Sequence, residues 1–207
     1  MQPIIGIDFD STIAKYDQLM HEIALEKGFI RPEVNVNKKD IRDYIRQLED
    51  GETKWQIVQS TAYGPRMKEA RLAESFHDFY TKCKKSGIKT YIISHKTVHA
   101  KYDATRTNLR KAAIEWILKQ GLFSSAQIDQ YGHPNIFFES SREEKIERIT
   151  FLKCTHFIDD LPEVFTESLF PRNIEKILYD PFGHSLPMQD VKVFSSWKAI
   201  EDYFFQN

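Results

Sequence analysis

The apolar run Ile4-Ile5-Gly6-Ile7 breaks off into Asp8-Phe9-Asp10-Ser11-Thr12, so a buried strand ends at two carboxylates two residues apart. Side chains alternate across a strand, so Asp8 and Asp10 project to the same side, where their charges repel unless a cation lies between them. An ordinary strand end with solvated acids has the same pattern. The pair therefore takes its meaning from what the rest of the chain brings to it.

Short apolar runs recur at Pro3 to Ile7, Ile88 to Ile93, Asn135 to Phe138, His156 to Ile158 and Lys176 to Tyr179, with helix-like stretches between most of them. Each has the length of a strand, and strands alternating with helices predict an α/β fold with a parallel sheet covered on both faces. Val191 to Phe194 reads as a further strand. Ser195 or Ser196 can cap a last helix holding Trp197, Ile200, Tyr203 and Phe204. In open α/β sheets ligands bind beyond the carboxyl ends of the strands, which is where Asp8, Ser94 and Asp159 fall.

The interval from about Ala14 to Ser86 is too long for a simple crossover and contains no convincing strand. It predicts a helical cap over residues 14–86, inserted into a core made of 1–13 and 87–207. One helix runs from near Asp17 to Lys27 and stops at Gly28; another follows the Asn37 cap to about Glu49; a third includes Trp55. The longest starts after Pro65 and carries Leu72, Phe76, Phe79, Tyr80 and Cys83 at helical spacing before Gly87, a stripe that reads as core packing. A later helix from about Thr107 to Gln120 presents Leu109, Ala113, Trp116 and Ile117 on one face, ending at Gly121.

At 207 residues the chain can bury a full core. Lys+Arg 29 against Asp+Glu 30 leaves a net charge of -1, which argues against a nucleic-acid polymer or an anionic membrane surface and for a small polar substrate. The apolar runs fall far short of the ~20 residues that span a bilayer, and the start leads straight into a strand, so a cytoplasmic location is expected. Cys83 and Cys154 show no pairing pattern and read as buried filler.

Three further segments bear on Asp8 and Asp10. Ser94 ends the Ile88 to Ile93 strand, where its hydroxyl can donate to a phosphoryl oxygen. Lys145 lies in an expected helix from Arg142 to Phe151, from which its ammonium can reach the same mouth. Asp159 and Asp160 close the strand of His156-Phe157-Ile158, and adjacent carboxylates at a strand end are costly without a cation. Magnesium suits such an all-oxygen set.

Taken in order, Asp8-Phe9-Asp10-Ser11-Thr12, Ser94, Lys145 and Asp159-Asp160 resemble the four motifs of the haloacid dehalogenase superfamily, over nearly the whole chain. The resemblance implies a Rossmann-like parallel sheet sandwiched by helices, with a cap between the first two motifs that selects substrates. It implies that Asp8 is the nucleophile, forming an aspartyl-phosphate, and that Asp10 is the acid/base. Magnesium would be held by Asp8, the Asp10 carbonyl and Asp160, with Asp159 in or near its second coordination shell. Ser94 and Lys145 would hold the phosphoryl oxygens, and Thr12 would support the loop through its hydroxyl. Family dehalogenases lack an acid at the position of Asp10, and the ion-pumping ATPases carry a threonine there, which leaves phosphatase or phosphomutase. Ser11 departs from the pattern, in which glycine is commonest.

The stretch His95-Lys96-Thr97-Val98-His99-Ala100-Lys101-Tyr102-Asp103-Ala104-Thr105-Arg106 is a long basic loop directly after a site residue. Lys96 and Arg106 are its expected contacts to an anionic leaving group such as a sugar phosphate or nucleotide. His95 and His99 lack a third zinc ligand. The expected activity is hydrolysis of a small phosphomonoester; a phosphomutase, or a catalytically silent phosphate-binding module, are the alternatives. A phosphate-accepting receiver domain is disfavoured by motif order, because there the acid pair follows the first strand and the phosphorylated aspartate the third. Oligomeric state is left open.

Overall fold

The computed structural model describes residues 2–123 and 133–205. Its centre is a six-stranded sheet built from β1 (Ile4–Ile7), β4 (Lys89–His95), β5 (Ile136–Glu139), β6 (His156–Asp159), β7 (Glu175–Tyr179) and β8 (Val191–Phe194), in the order β5-β4-β1-β6-β7-β8. Every neighbouring pair is parallel. β1 is buried on both faces, Ile5 and Ile7 on one and Gly6 on the other, and Ile7 is in register with Ile92 on one side and Ile158 on the other. Gly6 permits this packing, since a Cβ there would come within 2.7 Å of the Phe157 ring.

The chain divides into two compact units, one of residues 1–14, 72–96 and 121–207, the other of 15–71 and 97–120. In the first, the sheet is flanked by α4 (Phe76–Lys85), α6 (Arg142–Phe151), α7 (Pro162–Thr166) and α8 (Trp197–Phe205). α4 and α8 interlock through aromatic rings: Trp197 meets Phe76 at 4.7 Å and Phe79 at 5.1 Å between centroids, and lies 5.5 Å from Tyr179 of β7. α6 and α7 supply Ile146, Ile149, Val164 and Phe165 to a buried cluster with Ile93, Phe157 and Leu178 of the sheet.

The second unit is helical, with α1 (Asp17–Glu26), α2 (Lys38–Arg46), α3 (Gly51–Tyr63) and α5 (Leu109–Lys119). Asn37 caps α2 by accepting from the Asp40 amide at 2.8 Å, and Asn108 caps α5 by accepting from the Lys111 amide at 3.0 Å. α1, α2 and α3 pack against one another, and Met20, Ile23, Ile41, Ile45, Trp55 and Val58 on them are buried. The Trp116 indole donates to the Ala70 carbonyl at 2.9 Å, tying α5 to the turn that follows α3.

Two boundaries differ from the reading of the sequence. Residues 72–86, expected within the insertion, belong with the sheet, because the Phe76 and Phe79 stripe of α4 packs on Trp197. Residues 97–120, expected within the core, belong with the helical unit through Trp116. The helix expected from Pro65 begins at Phe76 instead. Before it come a short 3-10 turn at Met67–Glu69, a two-residue strand β3 (Arg71–Leu72) that pairs with β2 (Ala14–Lys15), and Ser75 at φ +62. Met67 is held in that turn by the Tyr16 hydroxyl, which lies 3.1 Å from its sulfur.

Candidate active site

Asp8 follows β1 directly, and its amide donates to the Ile158 carbonyl at 2.8 Å, which continues the β1–β6 ladder and points the carboxyl beyond the strand ends. The chain then turns back on itself: the amides of Ile13 and Ala14 both donate to the Phe9 carbonyl at 3.0 Å, and Ser11 donates its amide to the Ala14 carbonyl at 2.9 Å. Ser11 takes φ +67, in the left-handed region that favours glycine. Thr12 is fully buried. Its hydroxyl donates to Asp160 Oδ1 at 3.2 Å, and its carbonyl accepts from the Trp197 indole at 3.1 Å.

Three elements bring side chains to the surroundings of Asp8. Ser94, on β4 and 1% exposed, donates its hydroxyl to Asp8 Oδ1 at 2.9 Å. Lys145 lies in the first turn of α6, a helix capped by the Ser141 hydroxyl, which accepts from the Glu144 amide. Its Nζ stands 2.6 Å from Asp8 Oδ1 and 2.7 Å from Asp159 Oδ2, with all three side chains buried. Asp159 ends β6, and its Oδ1 accepts from the Leu161 amide at 3.0 Å.

Burial dominates the electrostatics here. It pushes the Asp8 carboxyl up to about 6; Lys145 opposes this, and the charges of Asp159 and Asp10 add to it. Asp159 is raised by burial and by Asp160, again against Lys145. Burial alone would lower the Lys145 ammonium, but Asp159 and Asp8 together hold it above the ordinary lysine value. Asp8, Asp159 and Asp160 each bring an oxygen to within 4.8 Å of the others. Carboxylates so crowded, with oxygen donors only, fit a hard divalent cation.

The structure thus gathers Asp8, Thr12, Ser94, Lys145, Asp159 and Asp160 from positions spread over the sequence. Lys96 departs from its expected place in an exposed loop. It is 4% exposed, and its Nζ lies 3.0 and 2.7 Å from the two carboxyl oxygens of Asp10. The reason is strand alternation: Ser94 and Lys96 stand two residues apart at the end of β4 and project to the same side. Arg106 belongs to the helical unit, where it is exposed and has φ +50. Trp197, as an anchor of the Asp8 to Thr12 turn, carried no sequence signal beyond its place on an apolar helix face.

No family model and no curated protein matches the sequence. Solved structures do. A HAD-superfamily hydrolase from Ehrlichia chaffeensis aligns over 99% of this chain and 97% of its own at 13% identity and a TM-score of 0.55. A HAD family hydrolase from Deinococcus radiodurans R1, solved with bound phosphate and sodium, aligns over 98% and 94% at 10% identity and a TM-score of 0.55. CbbY from Rhodobacter sphaeroides, in complex with xylulose-1,5-bisphosphate, aligns over 95% of each chain at 12% identity and a TM-score of 0.52. The fold of this chain is therefore the HAD-like α/β fold, over nearly its whole length.

Proposed function

We propose that the protein is a magnesium-dependent phosphatase that hydrolyses a small phosphomonoester through an aspartyl-phosphate on Asp8. The observation that carries this reading is the convergence of the Ser94 hydroxyl and the Lys145 ammonium on one oxygen of Asp8, beside the cluster of Asp8, Asp159 and Asp160. A nucleophilic carboxylate, two donors for phosphoryl oxygens and an acidic oxygen set are what phosphoryl transfer to an aspartate requires.

In the first step a carboxylate oxygen of Asp8 attacks phosphorus in line as the bond to the leaving oxygen breaks, and Asp10 gives that oxygen a proton. In the second step water attacks the aspartyl-phosphate, its proton passes to Asp10, and the bond between phosphorus and Asp8 breaks to release inorganic phosphate. Ser94 and Lys145 donate to the phosphoryl oxygens through both steps. Asp8, Asp160 and the Asp10 carbonyl would hold magnesium, with Asp159 behind them because its two oxygens already accept from Lys145 and the Leu161 amide. When bound, magnesium supplies positive charge against the repulsion between nucleophile and phosphate. The carboxylic acid at position 10 favours a phosphatase over a dehalogenase.

The substrate class is taken to be a small soluble phosphate ester. The phosphate bound to the Deinococcus radiodurans hydrolase and the bisphosphate bound to CbbY support that choice. Among the described residues no helix is long and apolar enough to cross a membrane. The reading is tested by quenching turnover of an aryl phosphate in acid and measuring intact mass. A phosphoryl adduct that maps to Asp8 and is absent from Asp8→Asn is expected; an adduct elsewhere, with Asp8→Asn still active, would refute the mechanism.

A further inference from the structure

The environment of Lys96 carries an inference beyond the phosphatase reading, although it rests on that reading for the role of Asp10. Three contacts fix where the ammonium sits. The Lys96 amide donates to the Glu139 carbonyl at 2.9 Å, extending the pairing of β4 with β5 one residue past the end of β4. The side chain passes Phe9, with Nζ 5.6 Å from the ring centroid. The Nζ then meets both oxygens of Asp10, at 3.0 and 2.7 Å, with the Lys96 side chain 2% and the Asp10 side chain 18% exposed.

A carboxylate gripped at both oxygens by a fixed cation loses the freedom to rotate about its last torsions. We propose that Lys96 is a positioning residue for Asp10, holding the acid/base where it meets the leaving oxygen, and that it does not itself bind the leaving group. Its neighbours on the sheet support this assignment. Ser94 projects from the same face of β4 onto Asp8, so one strand end orients both acids of the Asp-x-Asp pair, the nucleophile through a hydroxyl and the acid/base through an ammonium. The chain enters the helical unit at the next residue, Thr97, so Lys96, just past β4, is the last side chain this strand end brings to the sheet's own site.

A misplaced acid penalises leaving groups according to how much they need its proton. An alkyl phosphate expels a strongly basic alkoxide and depends on the acid. A nitrophenyl phosphate expels a stable phenolate and depends on it far less. A misplacement of roughly 1 Å can cost on the order of 100-fold in rate.

The test compares wild type, Lys96→Met and Lys96→Arg on an alkyl phosphate and a nitrophenyl phosphate. The expected result for Lys96→Met is a fall of about 100-fold in kcat/KM on the alkyl ester and a much smaller fall on the nitrophenyl ester, because kcat/KM reports the transfer to Asp8, in which the leaving group departs, and not the later attack of water that both esters share. Lys96→Arg should recover part of the alkyl rate. A raised KM with kcat intact would assign Lys96 to substrate binding, and equal losses of kcat/KM on both esters would assign it to structure; either overturns the proposal. If wild type releases no phosphate at all, the phosphatase reading fails, and the clamp is read directly from the ammonium resonances of 15N-labelled protein. A Lys96 signal that disappears in Asp10→Asn upholds the clamp, and one that is unaffected overturns it.

Discussion

Lys145 Nζ sits 2.6 Å from Asp8 Oδ1 across 137 residues of sequence, and the same nitrogen sits 2.7 Å from Asp159 Oδ2. One buried ammonium thus serves two buried carboxylates. Through it, the start of α6 is tied to the ends of both β1 and β6.

Removing that cation leaves two carboxylates in the interior without their counter-charge. Lys145→Met is expected to cost about 3–5 kcal/mol in urea unfolding. Lys145→Met combined with Asp159→Asn should recover a large part of the loss, because the second change removes one of the stranded charges. Additive losses would mean that the bridge is not the source of the effect.

Asp8 itself opposes stability, in a direction that pH reveals. Its folded pKa of about 6 lies above the ordinary 3.8, so between those values the folded protein holds a proton that the unfolded chain has released. Stability therefore falls as pH rises through that window and levels off above it. In EDTA, Asp8→Asn should exceed wild type by on the order of 2–3 kcal/mol at pH 8, with the difference vanishing near pH 4. Equal stability at pH 8 would contradict the burial of the charge.

Magnesium should bind the folded chain and raise its Tm. A free concentration 100 times Kd corresponds to about 2.7 kcal/mol of added stability. Asp160→Asn, which removes the most accessible of the three acids, should abolish most of that rise while leaving the Tm in EDTA close to that of wild type. A rise that survives in Asp160→Asn would place the cation elsewhere.

Gly6 is a site of close packing in the sheet unit. Gly6→Ala would drive a Cβ to 2.7 Å from Phe157 Cδ2 and 3.1 Å from Cys154 Sγ. A loss of about 1–3 kcal/mol is expected from overpacking, measured by thermal unfolding. An unchanged Tm would mean that the Phe157 ring yields freely.

The six strands of the sheet and the cap residue Asn37 were legible in the sequence, as was a cap at Ser195 or Ser196, because short apolar runs and local capping chemistry are encoded within a few residues. Ser196 caps α8 by accepting from the Ala199 amide at 3.1 Å. The division into units was less legible. The stripe of α4 shows that it packs on something, and only Trp197, more than a hundred residues away, decides that the partner is α8. Lys96 reads as part of the long basic loop from His95 to Arg106 that follows Ser94; its place beside the strand end follows from the alternation of Ser94 and Lys96, a signal present in the sequence but local and weak. The bond from Trp197 to the Thr12 carbonyl has no sequence signature at all, since any indole on an apolar face looks the same before the chain is folded.

The most direct measurement is phosphate release from an aryl phosphate by wild type and Asp8→Asn, each with magnesium and with EDTA. Release that requires both magnesium and Asp8, with Asp8→Asn at least 1000-fold slower on the order expected for loss of a nucleophile, is the outcome the site geometry leads to. Release that persists in Asp8→Asn, or no release together with no phosphorylation of Asp8, would contradict it.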